Sequence, residues 1–100
     1  MRRAAHIDAN QPEIVAALRK AGATVQPLAA VGKGCPDLAV GYNGATYLLE
    51  VKNPARVAKR GTIRPSDEMH EAWHTAWRGH VATVWSVDDA LAAIGVLRHD

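Results

Sequence analysis

The stretch from Asp37 to Lys52 constrains the fold more than any other part of the chain. Two strand-forming runs, Asp37–Gly41 and Ala45–Lys52, flank Tyr42-Asn43-Gly44. Asn-Gly between such runs is the strongest short-range hairpin signal, because both residues tolerate the positive φ that a tight turn needs. Thr46, Tyr47, Leu48, Leu49 and Val51 make the return run the most strand-like segment of the sequence, and Asn53-Pro54 ends it. With the turn at Asn43-Gly44, residue numbers facing each other across the ladder should sum to about 87, which sets Asp37 opposite Glu50.

The segments on either side predict the rest of a small α/β domain. Asn10 is placed to cap a helix over residues 11–21, with Pro12 in its first turn and Glu13 at the capping-box position. Ile14, Val15, Leu18 and Ala21 recur at helical spacing, and Gly22 closes the segment. Ala23 to Ala30 reads as a strand in which Pro27 demands an edge position or a bulge. After the hairpin, a helix is expected from Ser66 or Asp67 to Arg78-Gly79, with Met69, Ala72, Trp73, Ala76 and Trp77 as its apolar stripe. His80–Trp85 follows as a strand. Ser86, with Asp89 three residues on, starts a last helix that Gly95 stops. The expected order is α-β-β-β-α-β-α: a mixed sheet flanked by helices, in one domain over residues 1–100 with a polar lead-in at 1–9.

Composition excludes several classes. With 48% hydrophobic and 22% charged residues the chain is globular and not disordered. No apolar run approaches the roughly 18 residues of a membrane span, so no membrane partner is expected. Cys35 is the single cysteine, which excludes an internal disulfide and a four-cysteine zinc site. Met1-Arg2-Arg3 is not followed by an apolar segment, and a reducing, cytoplasmic setting in a bacterial or phage-infected cell is expected.

The net charge of +2 conceals a strong asymmetry. Residues 1–66 hold ten of the twelve basic residues but only four acids: Asp8, Glu13, Asp37 and Glu50. Lys52, Arg56, Lys59, Arg60 and Arg64 form an acid-free basic stretch suited to phosphates, although a solvated basic loop would read the same way.

Asp37 and Glu50 side by side repel each other, so their pairing makes most sense around a divalent cation, and hard oxygen ligands indicate Mg²⁺ or Mn²⁺. The alternative is two unrelated surface acids near a turn. Lys52, two residues beyond Glu50, falls on the same strand face and is placed to orient a water or offset charge on a phosphoryl group. Glu13 could approach the same site, or serve only its helix. Carboxylates, a metal and a lysine in a basic setting add up to metal-assisted phosphodiester hydrolysis.

Gly34-Cys35-Pro36-Asp37, followed by Leu49-Glu50-Val51-Lys52, resembles the PD-(D/E)xK nuclease signature, and more narrowly the virus-type replication-repair (VRR-NUC) nucleases. The resemblance spans nearly the whole chain, from the Glu13 helix to the closing Ser86–Ile94 helix. It implies a restriction-endonuclease-like core, with Glu13, Asp37, Glu50 and the Val51 carbonyl as metal ligands and Lys52 as the catalytic lysine. It also implies a Mg²⁺-dependent endonuclease for branched or four-way-junction DNA, working as a homodimer, and it leaves open whether a helicase or other replication partner delivers the substrate. Lys33, Arg56, Lys59, Arg60 and Arg64 would grip the DNA backbone. Relatives commonly carry a glutamine early in the helix after the basic loop. Ser66-Asp67-Glu68-Met69-His70-Glu71 has none, and His70 is the nearest polar substitute, either facing phosphate or half-exposed on its helix. That departure supports a second expectation, a catalytically weak nucleic-acid-binding protein on the same fold. Trp73 and Trp77 are expected in the core or in a dimer face. Cys35 has no histidine placed to activate it, and Gly32-Lys33-Gly34 is too short for a Walker A loop.

Overall fold

The computed structural model describes residues 8–57 and 65–96, with the backbone alone described at 56, 57 and 65–67. Helix α1 (Gln11–Lys20) leads into strand β1 (Thr24–Pro27), a 3₁₀ turn (Ala29–Val31) and the hairpin β2 (Leu38–Tyr42) and β3 (Ala45–Val51). A short α2 (Pro54–Val57), α3 (Pro65–Ala76), β4 (Val81–Val84) and α4 (Val87–Ala93) complete it. The described strands form one mixed sheet in the order β1-β2-β3-β4. Its first three strands are antiparallel, and β4 returns parallel to β3.

The hairpin has the expected register. Leu38 faces Leu49 and Val40 faces Tyr47, with Asn43 (φ 50°) and Gly44 (φ 81°) supplying the positive-φ turn. Asp37 and Glu50 stand one step beyond the Leu38–Leu49 pair, at the open end of the hairpin. Strand β1 is shorter than expected, because the chain turns after Pro27. As the proline requires, β1 is an edge strand.

Alternation along the strands sorts the sheet into two chemically different faces. Leu38, Val40, Leu49, Val51 and Val84 point to one side and pack with Ile14 and Leu18 of α1 and with Ala90 and Ile94 just beyond or within α4. This is the hydrophobic core. The opposite side of β3 carries Leu48 and Glu50.

Two helix starts behave differently from each other. Ser86 is a true cap: its Oγ accepts the Asp89 N–H at 3.1 Å, and the Asp89 carboxylate accepts the Trp85 N–H at 2.9 Å. Asn10, by contrast, makes no side-chain cap. Its NH₂ instead donates to the Lys52 carbonyl at 2.9 Å and the Trp85 carbonyl at 3.3 Å. It ties the start of α1 to the ends of β3 and β4.

The α3 stripe does not enter the core. Met69 is 49% exposed and Trp77 43%, and Ala72 and Ala76 are exposed. Trp77 instead stacks on the half-buried Trp73, with ring centroids 4.7 Å apart. None of the described helices is long and apolar enough to cross a membrane.

Candidate functional site

Strand β3 carries Glu50 on the face away from the core, and the residue is nonetheless only 2% exposed. Its Oε2 lies 3.6 Å from Lys52 Nζ and 3.1 Å from Nδ1 of His70 on α3, and those two nitrogens are 3.5 Å apart. The other oxygen, Oε1, is buried with no hydrogen-bond partner among the described residues. Burial and the Asp37 charge push the Glu50 carboxyl up to about 8, with Lys52 pulling the other way and Asp8 adding to the rise. A buried carboxylate with one orphaned oxygen is a costly arrangement unless something positive joins it.

Asp37 is held by the hairpin itself. Its Oδ2 accepts the Val51 N–H at 2.7 Å, and its carbonyl accepts the Leu28 N–H at 2.7 Å. The main chain of Val51, buried between Glu50 and Lys52, is thereby fixed against Asp37. Lys52 is fixed from the other side, its N–H donating to the Val84 carbonyl at 2.9 Å. Asp37, Glu50, Val51 and Lys52 are thus gathered at the open end of the β2–β3 hairpin.

Lys33 is exposed in the Gly32–Cys35 turn, in the left-handed region at φ 57°. Gly34 in the same turn approaches α3 so closely that an added Cβ would meet the Met69 carbonyl oxygen at 2.6 Å. That contact seats α3, and His70 with it, over Glu50. Gly34→Ala combines a strained φ of 83° with a backbone clash. It is expected to cost about 2–4 kcal/mol in urea unfolding. A loss below about 0.5 kcal/mol, within the range of ordinary surface changes, would show that the loop–helix contact does not hold α3.

Glu13 takes a different position. It is exposed on α1 and lines a shallow cleft with Asn10, Asn53, Trp85 and Asp88. The acid of the N-terminal segment that acts on Glu50 is Asp8, which sequence reasoning passed over. Only its scarcity value, one of four acids among the first 66 residues, pointed to it. The side chain of Arg56 and all of Lys59, Arg60 and Arg64 lie outside the described residues. Cys35 is unsuited to nucleophilic work, because burial, Asp37 and Glu50 all push its thiol up and keep it protonated. Burial, and then Lys52, lower the His74 imidazole, whose Nε2 is buried without a partner among the described residues.

No three His, Cys, Asp or Glu side chains among the described residues are grouped so as to hold a metal ion by themselves. Mg²⁺ sites, however, are commonly built from one or two carboxylates, with water and substrate phosphate completing the shell. Asp37 and Glu50 lie at the same end of the hairpin, and the buried Glu50 Oε1 has no hydrogen-bond partner among the described residues. No family model, curated protein or solved structure matches this chain.

Proposed function

We propose that the protein is a divalent-metal-dependent endonuclease that hydrolyses DNA phosphodiester bonds, with branched or four-way-junction DNA as its preferred substrate. The observation that carries the reading is the buried Glu50, with an orphaned oxygen, beside Asp37 and Lys52 at one end of the hairpin. Mg²⁺ or Mn²⁺ would supply Lewis acidity at the phosphate and acidify a water molecule. Asp37 and Glu50 are the residues to hold it, helped by the main chain of Val51. The Val51 N–H fixes the Asp37 carboxylate, so one ligand is oriented before any ion arrives. Lys52 holds the attacking water in place and offsets the negative charge that grows on the phosphoryl oxygens. Lys33 and the basic residues 56–64 grip the backbone on either side. His70 takes the place beside Glu50 and Lys52 that a phosphate-facing polar residue would fill. Glu13, exposed on α1, lines the neighbouring cleft and stands apart from this cluster.

The test is incubation of wild-type, Glu50→Ala and Lys52→Ala proteins with duplex, flapped and four-way-junction DNA in Mg²⁺ or Mn²⁺. Cleavage by the wild type alone is the expected result. Cleavage that persists in both variants would remove the assignment.

Pairing of two sites on a symmetric junction calls for two copies of the chain, and the exposed Met69 and Trp77 are the apolar surface for that contact. Light scattering should give a dimer with junction DNA, and a strict monomer at micromolar concentration would contradict it. The second reading, a binding protein without catalysis, draws on the contact of His70 with the Glu50 carboxylate, which occupies one of its two oxygens. It differs in one result: DNA affinity indifferent to Mn²⁺ and to Asp37 and Glu50.

A further inference from the structure

The cleft that receives Glu13 begins one residue past Lys52, at Asn53, and its space is about 590 Å³. That volume lies within the range of sites that hold small organic molecules. Asn10 stiffens its floor by bonding both the Lys52 and the Trp85 carbonyls. Trp85 lines the cleft and is 38% exposed, which is a large apolar ring left partly in water without an evident packing role.

We propose that this cleft is a subsite for one unpaired nucleobase of the strand whose phosphate lies at Glu50 and Lys52, an inference that rests on the nuclease reading. Three features select a base over other parts of a nucleic acid. The Trp85 ring offers a stacking surface, and every base has a face to lay on it. Among the described residues lining the cleft there is no Lys or Arg, while Glu13 and Asp88 are both present. Two carboxylates repel phosphate, so the anionic backbone stays outside and the neutral base enters. Carboxylates only accept hydrogen bonds, so the base must donate. The exocyclic amino groups of cytosine, adenine and guanine do so. Thymine carries a single ring N–H between two carbonyl oxygens that face the carboxylate lone pairs unfavourably. Asn53 adds the complementary group: its Oδ1 accepts the Ala55 N–H at 3.1 Å, which leaves its NH₂ as the end to meet a ring acceptor. The subsite therefore favours an amino-bearing base and disfavours thymine.

Fluorescence anisotropy with the metal-free protein and labelled ten-nucleotide dC and dT strands tests this at low salt. The wild type should bind dC several-fold more tightly than dT. Trp85→Ala should weaken dC binding about tenfold and abolish the difference, with the salt dependence unchanged because no phosphate contact is lost. Asp88→Asn should abolish the difference by admitting dT. Trp85→Phe, which keeps a ring, should fall between wild type and Trp85→Ala, and it guards against an alanine variant that fails to fold. Equal dC and dT binding by the wild type, or a preference untouched in folded Trp85 variants, would overturn the subsite. Mn²⁺-dependent cleavage of four-way-junction DNA by the same proteins is followed in parallel. Cleavage with no Trp85-dependent preference overturns the subsite and leaves the nuclease standing. A Trp85-dependent preference with no cleavage supports base binding and removes the nuclease.

Discussion

Lys52→Ala protein is expected to cleave DNA at least about 100-fold more slowly than the wild type at saturating Mg²⁺ or Mn²⁺, the usual consequence of removing one group that stabilises developing charge. Two losses combine in this variant. The ammonium no longer orients water or offsets charge on the phosphoryl oxygens. Glu50 also loses the cation 3.6 Å from its Oε2, which pulls its pKa down. Glu50 then holds its proton to a higher pH, and a proton competes with a metal ion for the same oxygens. The Lys52→Ala defect should therefore ease partly as pH rises from 7 to 9, as the carboxyl at last ionises. A defect that stays constant over that range would mean that lysine acts on the substrate alone. Single-turnover cleavage rates across the pH range separate the two.

Glu50→Gln is expected to make the metal-free protein more stable in alkaline solution while abolishing cleavage. The Glu50 carboxyl is pushed up to about 8 from its ordinary 4.5. Between those two values the folded chain keeps a proton that the unfolded chain has released, so stability falls as pH rises through that window and levels off above it. Glutamine keeps the shape and has no proton to lose, so the variant escapes the fall. Its advantage should be near zero at pH 4.5 and reach about 2 kcal/mol at pH 8.5, a value discounted from the full linkage of about 1.4 kcal/mol per unit because a buried site relaxes and admits water when it ionises. For a domain of this size that is roughly 8–16 °C in Tm. Mg²⁺ or Mn²⁺ should favour the ionised wild type and narrow the gap. Thermal melts at pH 5 and 8.5, with and without metal, check all three statements. An equal Tm for the two proteins at pH 8.5 would show that Glu50 bears no burial penalty.

How much of this was legible in the sequence differs from residue to residue. The hairpin register was, because a two-residue positive-φ turn leaves one alignment, and that alignment alone sets Asp37 beside Glu50. The Ser86–Asp89 box was legible for the same reason: both partners are local. Asn10 misleads because the cap pattern is local whereas its amide finds carbonyls 42 and 75 residues away. The α3 stripe misleads in another way. Helical spacing of Met69, Trp73 and Trp77 shows which side is apolar and not what lies opposite it, and here Met69 and Trp77 face largely outward. Nothing in the spacing of His70 announces its place against Glu50. That depends on Gly34 letting the loop touch the backbone of α3. The position of Glu13, three residues past Asn10 on a helix whose start Asn10 ties to the sheet, was equally hidden.

The central claim is that Asp37 and Glu50 together hold a divalent cation. Calorimetric titration of Mn²⁺ into DNA-free protein at pH 8.5, where Glu50 is largely ionised, tests it most directly. The expected result is saturable binding to the wild type that is lost in both Asp37→Asn and Glu50→Gln. Binding that survives both substitutions, or no binding by a folded wild type with or without junction DNA, would contradict it.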